Sequence, residues 1–133
     1  MLSINFLVVS YFISLFVDWV FQNQFQATNK SKWTAKDNKL KSFLALTSHS
    51  FIYAFLTTVL TLALVKFSNI NIVFTTLFIS HIIIDSRIPV KFIMKLKGLT
   101  NEEIYDYQNY GFMHIGIDHR LHEITLLLLS YFC

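Results

Sequence analysis

Four apolar stretches divide the chain; one polar segment follows the first, another precedes the fourth, and a short turn parts the second from the third. The first stretch runs from about Leu2 to Phe21, the second from Phe43 to Val65, and the third from Ile70 to about Ser86. The fourth begins between Gly111 and Asp118 and continues to Cys133. The second is long enough to cross a hydrocarbon core of about 30 Å, and so is the fourth if it starts near Gly111. The third stops at Asp85-Ser86-Arg87-Ile88-Pro89, where proline disfavours further helix. Polar Asp18 and Gln22 close the first, which lacks the basic start and small-residue cleavage site of a signal peptide and reads as a retained helix. The pattern predicts an all-α fold, an integral membrane bundle of about four transmembrane helices in one domain.

The connections carry their own signals. Residues 22–42 and 87–110 read as polar loops, with Trp33 as an interfacial anchor in the first. In the second, Val90 to Lys97 alternates basic and apolar residues at helical spacing, which suits a short amphipathic helix lying on a membrane surface. Thr100 and Glu103 have the spacing of a capping box and mark a helix start. Basic residues are unevenly shared. Lys30, Lys32, Lys36, Lys39 and Lys41 lie in the first loop, and Arg87, Lys91, Lys95 and Lys97 in the second, against only Lys66 in the turn at 66–69. The positive-inside rule then predicts a multi-pass protein of the inner or plasma membrane, with both termini outside and both long loops cytoplasmic.

Composition agrees with lipid as the solvent. Hydrophobic residues make up 54% of the chain and charged residues 14%, against about 25% charged in soluble domains. The net charge of +3 sits mainly in the loops. That placement argues against nucleic acid as a partner and for anionic lipid headgroups, and leaves a homo-oligomer open. Cys133 is the single cysteine, which excludes an intrachain disulfide and a CxxC metal site.

Against this background the ionisable residues stand out, because a charge at mid-bilayer costs roughly 2.5–3.5 kcal/mol on insertion scales. All five histidines fall in or beside the apolar stretches. The topology draws Asp18, His49, His81, Asp85, Asp118, His119 and His122 from four helices to one depth, just below the cytoplasmic interface. Spacing groups them further, since residues three or four apart share a helix face. His81 pairs with Asp85, and His114, Asp118 and His122 form a row; His114 and Glu123 are the outlying members. Imidazoles and carboxylates from facing helices build metal sites in bundles. Without thiolates the set suits a divalent ion, zinc first, with manganese or iron(II) as alternatives. Each pair also has a plainer reading as a buried hydrogen-bonded pair, a helix cap or, for Asp18, a partner of a loop lysine.

The order Asp18-Trp19-Val20-Phe21-Gln22, Lys30-Ser31-Lys32, His49, His81-Ile82-Ile83-Ile84-Asp85 and Asp118-His119-Arg120-Leu121-His122 resembles a family of uncharacterised phage and bacterial membrane proteins, domain of unknown function 3307. The resemblance spans nearly the whole chain and implies an integral membrane protein with a His/Asp site, without a known reaction. Two positions depart from the family pattern. Ser14 stands where a histidine is expected, and His119 stands where glutamine is usual and offers a replacement ligand.

Three functions compete on these residues. The leading one is a metal-dependent hydrolase at the cytoplasmic leaflet, with Asp18, His49, His81, Asp85, Asp118, His119 and His122 as ligands and Asp18 or Glu123 as general base. The alternative is a non-enzymatic membrane module whose structural metal or hydrogen-bond knot ties the helices together, such as a phage protein acting on its host's membrane. Proton or ion transport ranks third, because the polar residues gather at one face instead of crossing the bilayer.

Overall fold

Three glycines and one proline leave little to interrupt a helix once it has started. The computed structural model describes residues 3–30 and 39–133, and every regular element among them is helical. The order is α1 (Ile4–Val20), α2 (Gln24–Asn29), α3 (Lys39–Leu64), α4 (Ile70–Asp85), α5 (Ile88–Leu96), α6 (Asn101–Tyr105) and α7 (Tyr107–Leu129). Lys32, Lys36 and Trp33, which entered the topology reading above, lie outside the described residues.

Local signals set the boundaries. Ser3 Oγ accepts from the Phe6 N–H and starts α1. Asn23 and Gln26 form a reciprocal capping box that starts α2 inside the segment expected to be loop. The expected Thr100–Glu103 capping box is present and starts α6. There the Thr100 backbone N–H and hydroxyl, then the Tyr110 hydroxyl, hold the Glu103 carboxyl below its usual range. Asp106 Oδ1 accepts from the N–H groups of Gln108 and Asn109, so α7 begins at Tyr107, before the expected Gly111. Pro89 falls in the first turn of α5, where its missing N–H is harmless. Arg87, the residue before that helix, takes a left-handed conformation with φ 64°. The chain therefore bends by 57° between α4 and α5. Segment 22–42 thus holds helix where polarity suggested loop, and 87–110 holds the expected short helix as α5 and the expected helix start at Thr100.

The four long helices close a ring. α3 packs on α1 and α4, and α7 packs on the same two from the other side. α2 lies on α3, while α5 and α6 brace the start of α7. One end of the ring is apolar: Phe6, Val73, Leu77, Leu126 and Leu129 are buried there, and Phe67 meets Phe6 edge-on. The Ser3 N–H donates to the Ser130 carbonyl at 2.8 Å and joins the start of α1 to the end of α7. Small residues such as Ser10, Ser50, Ala54, Thr57 and Thr61 are buried along the middle, where they let backbones approach closely. The opposite end of the ring carries the buried histidines and aspartates.

The exterior is apolar where the interior is polar. Phe112 is 90% exposed, Trp19 78% and Leu64 72%. Among the described residues one helix, Lys39–Leu64, is long and apolar enough to cross a membrane by length and composition. α1 and α4, with 17 and 16 residues, are shorter. The α4–α5 pair qualifies only as a bent unit.

α5 has two apolar faces. Val90 and Met94 are fully buried with Ile104, against Met113, Ile117 and Leu121 of α7. Ile88, Phe92 and Leu96 form an exposed row beside Lys91 and Lys95. Met94→Ala should therefore cost about 2–5 kcal/mol of unfolding free energy, whereas Phe92→Ala should stay within about 0.5 kcal/mol. Equal denaturation midpoints for the two variants would show that Val90 and Met94 do not form a core.

Candidate metal centre

Helix periodicity delivers the polar side chains to one end of the ring. Asp18 comes from the last turns of α1, His49 from the first half of α3, His81 and Asp85 from the end of α4, and His122 from the middle of α7. Antiparallel neighbours run these positions to the same level, where Asp85 becomes the hub. Its Oδ2 lies 3.3 Å from His81 Nε2 and 3.5 Å from His49 Nε2, and its Oδ1 lies 3.4 Å from His122 Nε2. Asp18 Oδ1 is 3.0 Å from His49 Nε2. His81 is fully buried, and His49 and Asp85 are 1% exposed.

The rings hold one another in place. Tyr53 stacks on His81 with centroids 3.8 Å apart, His122 lies 4.5 Å from His81 on the same scale, and His49 lies 4.9 Å away. This packing fixes the imidazole planes while their Nε2 atoms face the carboxylates.

Among the described residues two groups of three could hold a metal ion: Asp18 with His49 and His81, and His81 with Asp85 and His122. Within each group the ligand atoms lie within 4.8 Å of one another. Two atoms bound at about 2.0–2.1 Å to one tetrahedral zinc stand about 3.3–3.4 Å apart, which matches the Asp85 distances to His81 and His122. Asp18 Oδ1, His81 Nε2, Asp85 Oδ2 and His122 Nε2 are also buried without an aligned hydrogen bond. Buried polar atoms are normally satisfied, so this donor set fits a divalent ion.

The sequence-derived candidates divide on these coordinates. Asp18, His49, His81, Asp85 and His122 come together. Asp118 is buried but faces Arg87 Nη1 at 3.3 Å, and it belongs to neither group of three. His119 is half-buried and lines a small cavity of about 20 Å³ together with Ser14, Asp18, Tyr53, His122 and Glu123. That volume holds about one water molecule. Glu123 also pairs with Arg120 at 2.5 Å. His114 lies within α7, stacks on Tyr107 and hydrogen-bonds the Ile104 carbonyl at 2.8 Å, so it ties α7 to α6. Ser14, one turn before Asp18, donates to the Tyr11 carbonyl at 2.8 Å while facing the same cavity.

Lys30 is the residue that sequence reasoning left among the loop lysines. It caps α2, is 8% exposed, and sends Nζ to 2.6 Å from Asp85 Oδ2, 3.1 Å from His49 Nε2 and 3.9 Å from Asp18 Oδ1. The helix that carries it is tied to α3 by Gln26 Nε2 donating to Ser48 Oγ and Ser42 Oγ donating to the Asn29 carbonyl. The signal was present: Asn23-x-x-Gln26 has capping-box spacing and announces a helix just before Lys30.

No curated protein and no solved structure matches this chain. The model of one family, described as protein of unknown function (DUF3307), matches residues 6–133. This agrees with the family resemblance carried by Asp18, His49, His81, Asp85 and His122, and the chain belongs to that family of uncharacterised function.

Proposed function

We propose that this chain is a membrane-embedded, metal-dependent hydrolase acting at the cytoplasmic leaflet. The observation that carries the reading is the water-sized cavity beside His122 and Asp18, next to two sets of three metal-binding side chains. Three protein ligands with room for water is the arrangement of catalytic sites, whereas structural zinc sites close with four. The bound ion, zinc in the first instance, supplies Lewis acidity and lowers the pKa of water toward neutrality.

The chain's own residues do the rest. Asp18 lines the cavity and is placed to take a proton from water there. Glu123, the other candidate base, shares the cavity but is held by Arg120. Tyr53, stacked on His81, keeps that imidazole oriented. A larger groove of about 510 Å³ between α1 and α7 shares Tyr11 and Glu123 with the cavity. Leu7, Val8, Phe12 and Leu127 line it, and Arg120 stands at its edge. These walls suit an apolar chain and a nearby anionic ester, so the substrate class is a lipid-like phosphoester or acyl ester.

The membrane part rests on the inverted distribution of side chains. Phe12, Phe16 and Trp19 of α1, Phe51 and Phe55 of α3 and Ile79 and Ile83 of α4 face outward, while buried Ser, Thr, His and Asp share the interior with the apolar core. Beside the centre, Ile88, Phe92 and Leu96 with Lys95 form an exposed basic and apolar surface on α5, with half-buried Lys91 over the Tyr105 ring at its edge. Such a face suits an anionic headgroup layer, at about 1 kcal/mol per basic residue near the surface.

A second reading has the metal as a structural tie in a module without turnover; the burial of His81 and Asp85 favours it. Both readings predict that elemental analysis finds zinc in the purified wild-type protein and not in His81→Ala or His122→Ala. Equal metal content in all three would remove the basis for both. Only the hydrolase reading predicts ester or phosphoester cleavage in mixed micelles that falls at least about a hundredfold in Asp18→Asn, the scale of a lost general base, with zinc retained. If no substrate is turned over but chelation lowers the melting temperature, the structural reading stands instead. The membrane assignment predicts that the chain stays in the pellet after an alkaline carbonate wash, and quantitative release into the supernatant would refute it.

A further inference from the structure

Lone pairs in this centre are closer than they would stand without positive charge between them. Asp18 Oδ1 lies 3.0 Å from His49 Nε2, yet that nitrogen accepts its aligned hydrogen bond from Lys30 Nζ at 3.1 Å. An unprotonated nitrogen and a carboxylate oxygen repel at this range unless a cation sits against both. Lys30 is that cation, and it also closes on Asp85 Oδ2 at 2.6 Å. In the half of the centre built from His81, Asp85 and His122, Lys30 reaches Asp85, whereas neither imidazole has a lysine or arginine partner among the described residues, at similar spacings.

We infer that Lys30 is a resident second cation, so that the centre takes a single divalent ion, between His81, Asp85 and His122, and not a pair. The inference rests on the metal-binding reading above and says which of the two ligand groups the ion uses.

Three observations converge on it. An imidazole nitrogen has one lone pair, and His49 Nε2 spends it on Lys30, which removes His49 from the ligand set. Charge points the same way. One divalent ion with Lys30 exceeds the Asp18 and Asp85 carboxylates by a single positive charge, which one hydroxide or substrate oxyanion neutralises. A second divalent ion beside Lys30 would leave an excess of three in a buried site, where uncompensated charge is costly. Finally, Lys30 is a built part of the centre and not a stray surface chain. Its helix is capped at Asn23, and the α2 contacts to Ser48 and Ser42 hold it against α3. Asp85 then bridges the two cations, with Lys30 on Oδ2 and His122 beside Oδ1. Asp18 stays off the metal and faces the cavity.

The test is metal stoichiometry. Wild-type protein loaded with zinc in detergent and freed of excess should carry one zinc per chain by elemental analysis. His49→Ala should keep that ion, and His122→Ala should lose it. Lys30→Arg should remain at one, while Lys30→Met, which frees the Asp18 and His49 donors, should rise to two. The wild type supplies a readout independent of any variant's folding: the Lys30 amine should resist acylation by an N-hydroxysuccinimide ester with and without zinc, as read by peptide mass spectrometry. Two zinc ions per wild-type chain, loss of zinc from folded His49→Ala, a folded Lys30→Met that stays at one, or Lys30 acylation that appears on zinc loading would each overturn the inference. A wild-type protein that takes no zinc would overturn the metal reading itself.

Discussion

Asp85 is the constraint around which this molecule is arranged. A carboxylate that is 1% exposed has given up its water, and an unpaired buried charge is not tolerated in a folded protein. Its compensation comes from three directions: Lys30 from α2, His49 from α3, and His122 from α7, with His81 one turn back on its own helix. Each partner fixes the position of a different helix. The ring of α1, α3, α4 and α7 therefore has its polar end specified by directional contacts, while its apolar end is held by Phe6, Leu77, Leu126 and their neighbours.

This division of labour explains the short helices around the centre. α2 has only six residues and would not persist alone. It is stable here because its capping box and its contacts to Ser48 and Ser42 are joined to the Lys30 ion pairs. α5 and α6 serve the other side. Their buried Val90, Met94 and Ile104, with the His114–Ile104 hydrogen bond, brace the start of α7. Arg87, turned into a left-handed conformation ahead of Pro89, reaches Asp118 and compensates its charge. Asp118 is thereby engaged outside the ligand groups. The same helix thus presents one acid to a structural partner and, one turn on, His122 to the buried His/Asp cluster.

The site follows from that frame as a functional device. The His81 imidazole, stacked on Tyr53 and flanked by His49 and His122, is a pre-organised donor, and pre-organisation is what separates a binding site from a coincidence of residue types. The cavity lies at the seam between α1 and α7, where Ser14 is small and Asp18, His119 and Glu123 converge. A larger residue at Ser14 would occupy part of that space.

Much of this was legible in the residues themselves. Apolar stretches with few glycines and no internal proline dictate helices, because periodic burial and intrahelical hydrogen bonds leave no competing structure. His81 and Asp85 had to share a face, since four residues make about one turn. The gathering of Asp18, His49 and His122 at one level also followed from the order of the helices. Other features required the folded chain. Polarity marked 22–42 as loop and missed α2, because capping and local packing, not hydropathy, decide whether a short polar segment is helical. Spacing placed His114, Asp118 and His122 in one row, yet three-dimensional neighbours gave them three different partners: Ile104, Arg87 and Asp85. The sequence by itself determined which residues could act. Only the tertiary structure decided which of them meet, and it brought in Lys30, because contact between distant helices depends on their rotation and packing, which no local pattern encodes.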